Sequence, residues 1–487
     1  MNLVTHECIS SLLTSFNSLA QCSPIGGAET VTSFSDYYKE NNLTFAMKST
    51  TRGPEWKEWR SEIEGDLYVQ WASYLPAIAD ASAKISNVVG YEVCEQKNLA
   101  FVDFISRSAF DLFAAVMYGE SPQTTDSRVV DPKDVEFVEA TQTAFDLTGA
   151  LITNPMEKVF GSDLYRQFKV NMDKTFRFGY ERTQDFVQQA STTQEQKSEQ
   201  HEIVAKEGEE ESPSKCPIQS LKNGIIETNF LNPSFIERLV NRGQLSDDEM
   251  SEMTAPLLMA GVDTTAYVMS WLFLNLASNP DVQTKLADEL KTVLSGANVT
   301  TVEQMNALPY LKACMRESNR LTPPASVSIK TLEQGIDLVV NDATYHVPAG
   351  QVISLNLRAF PMDPKYVENP NIYRPERFLH DAIKARKGTP SEVIDHPAFA
   401  EPFGRGKRRC LGANVAIAEI TVLVARLIQD WEITLVDPSD AEKWRPKQKL
   451  MLKADPYPAM KLVRRSAVRV SSAVAESATV PPTRVAA

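Results

Sequence analysis

Cys410 has sequence neighbours that suit a metal-binding thiolate. Gly404 and Gly406 precede it within the run Phe403–Gly412, FGRGKRRCLG. Two glycines there allow a tight turn and a close approach of the backbone to a flat ligand. An apolar helix is predicted to begin just after the cysteine, and the N–H groups and dipole of a helix start favour a thiolate. The alternative is a buried cysteine in a basic loop.

The side chains around Cys410 fit an iron porphyrin. Phe403 can shield the sulfur from water, and Arg408 can pair with a haem propionate. On haem iron, a thiolate ligand donates electron density that favours cleavage of an O–O bond. Because an isolated cysteine beside glycines is more often an ordinary buried thiol, this interpretation depends on the other motifs of the chain.

A second group of reactive side chains lies in the middle of a long apolar run. The sequence Ala260–Thr265, AGVDTT, contains an acid, Asp263, next to an alcohol, Thr264. An alcohol can hydrogen-bond dioxygen and an acid can relay protons, while Gly261 leaves room and lets the helix open locally. The alternative is a helix with one glycine and a solvent-facing Asp-Thr pair.

Together these motifs resemble the cytochrome P450 family over about residues 35–465. Phe403–Gly412 contains the family's haem-binding pattern FxxGxRxCxG without substitution, and Ala260–Thr265 is similar to its oxygen-activation motif. The resemblance implies the P450 fold, mainly α with a small β portion, and haem b (iron protoporphyrin IX) bound through Cys410. It also implies a monooxygenase that inserts one atom of O2 into a lipophilic organic substrate with electrons from an external redox partner.

Several further residues take their roles from this resemblance alone. Glu317 and Arg320 match the family's ExxR and face the same way at i, i+3. Arg377, in YRPERF, matches the third member of a structural network beneath the haem. Trp56 and Arg60 match a pair on one helix that contacts haem propionates. The residues expected around the cofactor are therefore Cys410, Phe403, Gly404, Gly406, Arg408, Gly412, Trp56, Arg60 and, in place of the family's usual arginine, Lys330.

A basic cluster beside Cys410 contrasts with the formal net charge of −13; it consists of Arg405, Lys407, Arg408 and Arg409. That net charge argues against general nucleic-acid binding, which needs a basic surface. Lys312 and Arg316, four apart on one helix face, align with positions that mitochondrial-type P450s use to bind an acidic ferredoxin. Ala413 and Asn414 replace an arginine pair common in that branch. The expected partner is a ferredoxin-type or reductase electron donor; the alternative is a solvated basic face.

The chain is expected to contain one haem domain with irregular ends. Residues 1–34 are weakly patterned, 35–465 form the domain, and 466–487 are predicted to be a disordered tail. Residues 191–216 are polar and acidic and are predicted to form a disordered insert, since such a segment buries little apolar surface. The six scattered cysteines do not form a disulfide framework.

Localisation follows from the resemblance rather than from a signal in the chain. The family implies association with the mitochondrial or endoplasmic reticulum membrane, but we find no targeting segment. Family members carry more sequence before the helix of Trp56, so a short N-terminal lobe is expected.

Two alternatives to a monooxygenase stay open: a haem-thiolate isomerase or lyase, and a haem-binding relic made inactive by the short N-terminus. The acid–alcohol pair Asp263–Thr264 favours the monooxygenase over the isomerase.

Overall fold

Helices make up most of the described chain. The computed structural model describes residues 32–207 and 232–465, except positions 52, 155, 333, 341 and 342. The α-helices there are α1 (Thr32–Glu40), α2 (Thr44–Lys48), α3 (Pro54–Glu64), α4 (Leu75–Val89), α5 (Phe101–Tyr118), α6 (Pro132–Thr153), α7 (Met156–Val159), α8 (Asp163–Glu207), α9 (Phe235–Arg242), α10 (Asp247–Ser278), α11 (Pro280–Leu294), α12 (Val302–Asn306), α13 (Pro309–Leu321), α14 (His380–Ala385), α15 (Pro397–Ala400) and α16 (Ala413–Asp430).

Helix α10 runs through the centre of the molecule. It begins with a capping box in which Ser246 and Glu249 each satisfy the other's backbone N–H, and Pro280 opens the next helix. Among the described helices, α10 is the one long and apolar enough to cross a membrane, and 67% of its most apolar window is buried inside the protein. It packs against α5, α8 and α16, so it serves as the core helix.

Helices α5 and α16 hold α10 in place from two sides. Almost every residue of α5 is buried, and its Phe101 ring meets Phe273 of α10 edge-on, with centroids 5.5 Å apart. Helix α16 begins three residues after Cys410 and is apolar over most of its length. Because α16 is anchored in the core, the loop before it is fixed against the middle of α10.

The strands form four small antiparallel pairs. Their bounds are β1 (Val327–Thr331), β2 (Ile336–Val340), β3 (Ala343–Val347), β4 (Val352–Asn356), β5 (Trp431–Leu435), β6 (Arg445–Gln448), β7 (Leu452–Asp455) and β8 (Met460–Arg464). The pairs are β1–β4, β2–β3, β5–β8 and β6–β7. The fold is therefore mainly α with a small β portion, as the resemblance implies.

The acidic segment differs in part from its prediction. Helix α8 continues to Glu207, so residues 191–207 of the segment predicted to be disordered are helical. The reason is intrinsic propensity, since Gln, Glu, Lys and Ala are strong helix formers and can extend a helix without a core beneath them. Residues 208–216 and the predicted tail 466–487 lie outside the described residues, as do residues 1–31.

Candidate active site

A cavity of about 690 Å³ separates α10 from the cysteine loop, residues 403–412. Its volume lies within the range of about 300–1,000 Å³ typical of ligand and cofactor sites. Cys410 lines one wall, and Gly261 and Thr264 of α10 line another. Apolar side chains supply much of the rest, among them Phe113, Leu257, Val268, Val415 and Met451. We call this space the main cavity.

The cysteine loop turns through two left-handed glycines. Gly404 has φ +70° and Gly406 has φ +72°, values that favour glycine because they cost it no steric strain. The turn closes where the N–H of Cys410 donates to the carbonyl of Phe403 at 3.0 Å. Gly412 then caps α16. The glycines expected from the sequence therefore shape the loop that presents the cysteine.

The sulfur of Cys410 is open to the main cavity yet closely surrounded by protein. The residue is exposed because it lines the cavity, while burial raises the pKa of its thiol. The N–H of Gly412 and the charges of Arg60 and Arg409 act in the opposite direction. A bound metal ion would favour the thiolate decisively, because a coordinating thiol is deprotonated. The donor and the cavity in front of it fit a flat iron cofactor.

Three side chains expected at the cofactor's rim, those of Arg408, Trp56 and Arg60, lie away from the main cavity. Arg408 donates to the carbonyl of Thr51 at 2.7 Å and its guanidinium lies 3.8 Å from the centre of the Trp56 ring. Arg60 donates to the carbonyl of Arg409 at 3.0 Å. In the described structure these three predicted side chains, Arg408, Trp56 and Arg60, support the loop from behind and are not among those that line the main cavity.

Arg409 lines the main cavity instead. It donates to the Tyr68 hydroxyl at 3.0 Å, and its Nε is buried without a hydrogen-bond partner. A buried guanidinium N–H left unpaired is costly unless an acceptor completes it, so Arg409 fits an anionic group of a ligand in the cavity. From the sequence, Arg409 is one member of a basic cluster. A run of three basic residues does not indicate which side chain faces the main cavity.

Thr264 and Asp263 face different spaces. Thr264 lines the main cavity, where its Oγ1 donates to the carbonyl of Ala260 at 2.7 Å. Asp263 lines a second cavity of about 210 Å³ on another face of α10. Consecutive residues on an α-helix point about 100° apart, which separates the acid from the alcohol that the sequence grouped together.

Burial dominates the chemistry of Asp263. Its residue is 1% exposed, and neither carboxylate oxygen has a hydrogen-bond partner. Burial raises the pKa of this carboxyl well above its usual range, while nearby Lys453 lowers it and Asp146 raises it further. Burial therefore favours the protonated form of Asp263.

Gly261 has a packing role that differs from the one expected. A Cβ atom at this position would lie 2.8 Å from a ring carbon of Phe113, so the glycine lets the aromatic ring of α5 approach α10. The α-helix is continuous past Gly261, and the expected local opening is wrong. Contact with Phe113 explains the glycine without a break in the helix.

The comparison with known proteins decides the family. A family model described as "Cytochrome P450" matches residues 26–459. This chain belongs to the cytochrome P450 family. Membership implies a haem cofactor, and the mainly α architecture with small sheets agrees with the P450 fold.

Curated relatives resemble part of this P450. The chain is 32% identical to the mitochondrial 1,25-dihydroxyvitamin D(3) 24-hydroxylase of Mus musculus over 43% of this chain and 38% of the relative. It is 32% identical to ferruginol synthase of Salvia fruticosa over 46% of each chain. It is 32% identical to flavonoid 3'-monooxygenase of Arabidopsis thaliana over 39% of this chain and 36% of the relative. The matched stretches thus span less than half of each relative.

The three members of the predicted Glu–Arg–Arg network meet in the core of this P450. Arg320 holds Glu317 through two hydrogen bonds of 2.8 Å, and Arg377 donates to the same carboxylate at 3.2 Å. Glu317 is fully buried, and both arginines are nearly so. The N–H of Arg374 adds a bond of 3.0 Å. This network ties α13 to the segment after β4.

Glu419 is a buried acid of this P450 that sequence reasoning missed. It lines the main cavity from α16, where the hydroxyl of Thr265 contacts its Oε2 at 3.5 Å and its Oε1 has no partner. Burial raises the pKa of this carboxyl well above its usual range. The available signal was a single acid within the apolar run VAIAEITVLVA. Glu419 therefore stands closer than Asp263 to the cavity that Thr264 faces.

The residues predicted to dock a redox partner lie on α13. Lys312 donates to the side-chain oxygen of Asn306 at 2.8 Å. Arg316 pairs with Asp395 at 3.3 Å and lies 4.4 Å above the Phe378 ring. Lys312 is thus the more available cation. Lys330 lies in β1 opposite Ile353, and its side chain lies outside the described part of the structure.

Proposed function

We propose that this P450 is a haem-thiolate monooxygenase that acts on a lipophilic organic substrate. The observation that carries the proposal is that Cys410 and Thr264 line the same mostly apolar cavity. Two relatives are named as a 24-hydroxylase and a flavonoid 3'-monooxygenase, and these names support the same class of reaction. We propose the class of substrate alone: an apolar molecule, because its transfer from water into an apolar cavity is favourable.

Haem b would be held by groups already directed at the main cavity. Cys410 would bind the iron, and Phe403 would cover the sulfur. The free Nε–H of Arg409 would donate a hydrogen bond to a haem propionate. Arg408 and Arg60 would stabilise the loop through their backbone contacts. When bound, haem supplies the redox chemistry that places one atom of O2 in the substrate and the other in water.

The side chains of α10 would supply protons and exclude water. The Thr264 hydroxyl can leave the carbonyl of Ala260 and present its hydrogen to the main cavity. Asp263, whose protonated form is favoured by burial, would release a proton toward it. Phe113 and Leu257 line the same cavity and would keep bulk water from competing with the substrate.

Electrons would come from an external donor at the α13 face. A ferredoxin-type donor fits best, because Lys312 offers a local positive charge to an acidic partner despite the chain's formal net charge of −13. Association with the mitochondrial or endoplasmic reticulum membrane is part of the same proposal. A relative named as mitochondrial supports the first of these locations.

Isotopically labelled O2 tests the proposed reaction. Lipophilic compounds are first screened for a change in the haem spin state, and the compounds that respond are incubated with NADPH, ferredoxin reductase and ferredoxin. A monooxygenase gives a product that carries one labelled atom. A product without label would indicate an isomerase, and failure of every responding compound with every donor would indicate a haem-binding protein without activity.

A further inference from the structure

The hairpin of β6 and β7 places one side chain in the main cavity. Gln448 pairs with Leu452 across the hairpin, and the N–H of Lys449 donates to the carbonyl of Met451 at 3.1 Å, which closes the turn of residues 449–451. Met451 is 8% exposed and lines the main cavity. Because a two-stranded hairpin alone is marginally stable in water, the position of Met451 depends on what holds the hairpin.

One carboxylate on α6 holds this hairpin from both sides of the turn. The Nζ atoms of Lys449 and Lys453, which flank Met451 in the sequence, each lie 2.8 Å from Oδ2 of Asp146. The hydroxyl of Tyr267 on α10 donates to Oδ1 of the same group at 3.2 Å. Burial raises the pKa of Asp146, but hydrogen bonds from the two lysines outweigh burial and lower the pKa, which favours the carboxylate. We call Asp146, Lys449 and Lys453 the Asp146 cluster.

Close packing sets the hairpin against the same face of α6. Gly149 lies three residues after Asp146, and residues at this spacing are neighbours on a helix surface. A Cβ atom at Gly149 would lie 2.5 Å from the backbone nitrogen of Leu450, so the glycine lets the turn touch the helix. From α10, Nε1 of Trp271 donates to the carbonyl of Leu452 at 2.8 Å. The turn is therefore held against α6 and α10 beside the main cavity.

We propose that Asp146 is a positioning residue for substrate selection, which fixes through Lys449 and Lys453 how far Met451 enters the main cavity. The inference rests on the proposed monooxygenase function, and it names a residue that decides which apolar molecules fit. In the described structure Asp146 is not among the residues that line the main cavity, so it acts through the hairpin. With the cluster intact, Met451 occupies space that a broad molecule needs, and release of the hairpin leaves that space free.

The Asp146 cluster holds the hairpin by charge, and solvent reaches each of its members. The side chains of Asp146, Lys449 and Lys453 are 24%, 39% and 29% exposed. Salt screens charges that solvent reaches, whereas it does not weaken apolar contacts in this way. Selection against broad molecules should therefore decrease as the sodium chloride concentration rises from about 0.01 M to about 1 M.

Lys449→Met tests the cluster with little disturbance elsewhere. It keeps the other two charged groups of the cluster, which are the ones that act on the pKa of Asp263. The matched control is Lys447→Met in the same hairpin, because Lys447 pairs with Asp455 at 2.8 Å and both side chains are more than half exposed. An exposed pair of this kind contributes little to stability. Asp146→Asn is the second test variant.

Probes of two sizes measure the selection in the oxidised haem protein, without electron transfer. A ring nitrogen of imidazole or of 1-phenylimidazole binds haem iron and shifts the Soret band, and the second probe adds a phenyl ring. The affinity for 1-phenylimidazole relative to imidazole should rise about two- to fivefold in Lys449→Met and in Asp146→Asn. It should be unchanged in Lys447→Met. The parent ratio in both cluster variants would overturn the role of Asp146.

Met451→Ala separates a positioning role from a merely structural one. The substitution shortens the side chain through which the cluster acts, so it should raise the same affinity ratio. Adding Lys449→Met to this variant should then change the ratio no further, because the two residues act as a unit. If the two substitutions instead added their effects, the cluster would act elsewhere and the proposal would be wrong.

Hydrogen exchange of the full chain reports on the hairpin whatever reaction the protein catalyses. Exchange of the N–H groups in residues 449–453 should be about two- to fivefold faster in Lys449→Met than in the parent and in Lys447→Met. If exchange and the affinity ratio respond while labelled O2 enters no product, the monooxygenase function fails and the role of Asp146 is retained. Exchange at the parent rate in Lys449→Met would overturn that role even in an active monooxygenase.

Discussion

At the scale of single residues, the chemistry of this P450 divides between two faces of α10. Thr264 faces the main cavity together with Cys410, whereas Asp263 faces the second cavity. A hydroxyl can donate and accept a proton in place, while a buried neutral acid stores one. The two side chains therefore have separable effects, which substitution can tell apart.

Thr264→Ala should redirect electrons without harming the fold. In the described structure the hydroxyl donates to the carbonyl of Ala260 in its own helix at 2.7 Å, and alanine is a strong helix former. We expect normal haem content and normal spin-state responses, with a larger share of electrons released as peroxide. The control is Thr284→Ala, where an exposed threonine makes the same type of helix bond at 2.9 Å. An unchanged ratio of product to peroxide in Thr264→Ala would remove the threonine from proton delivery.

Asp263→Asn should slow turnover and also change how stability depends on pH. Burial raises the folded-state pKa of Asp263, so its contribution is fully present below the unfolded pKa and is lost as pH rises through the folded pKa. Asparagine cannot ionise. The free energy of unfolding of Asp263→Asn, taken relative to that of the parent chain, should therefore be higher at about pH 8 than at about pH 5. Denaturant unfolding at both pH values measures this difference, and a constant difference would contradict a raised pKa.

At the scale of elements, α13 combines a buried network with a half-buried pair of basic residues. Glu317 and Arg320 point into the core, while Lys312 and Arg316 are half-buried and line the main cavity. One amphipathic helix thus connects stability with the proposed docking of the electron donor. The two roles predict different responses to substitution.

Glu317→Ala should prevent accumulation of the haem protein. Removing one member of a buried charge network leaves the other charges unpaired, at a cost of about 3–5 kcal/mol, compared with a typical total stability of about 5–15 kcal/mol. Glu303→Ala is the control, because Glu303 is exposed on α12. Expression with haem quantification measures the effect, and normal haem incorporation in Glu317→Ala would show that the network is dispensable.

Charge reversal on α13 should slow reduction by ferredoxin. Lys312→Glu alone should reduce the rate and its dependence on ionic strength, because a charge that solvent can reach steers association and salt screens it. Adding Arg316→Glu should also destabilise the protein, since it breaks the contact with Asp395. Lys291→Glu, at an exposed position on α11, is the matched control. Equal rates and equal salt dependence in Lys312→Glu and the parent would exclude this docking face.

Prediction from sequence succeeded where a pattern is local. Gly404 and Gly406 form the tight turn before Cys410, and Glu317 and Arg320 meet at i, i+3 on one helix. Contacts between segments that are distant in the sequence could not be predicted from local patterns. The Phe113 ring that requires Gly261 and the inward turn of Arg409 both depend on packing between remote parts of the chain.

At the scale of the whole molecule, one core helix separates two cavities of different character. The main cavity is mostly apolar and contains the cysteine, while the second contains charged residues that extend to the surface. The middle of α10 therefore separates a cavity suited to a lipophilic molecule from one lined by ionisable groups. The account as a whole depends on Cys410 as the ligand of haem iron.

The absorption spectrum of the reduced protein with carbon monoxide tests that central claim most directly. The parent chain should show the strongly red-shifted Soret band of thiolate-bound haem, because a thiolate ligand donates electron density to the iron. Cys410→Ser should lose this band. Cys94→Ser, which alters a half-buried cysteine hydrogen-bonded to the N–H of Leu462 at 3.4 Å, should keep it. If Cys410→Ser retained the red-shifted band, another residue would be the ligand and the account would be wrong.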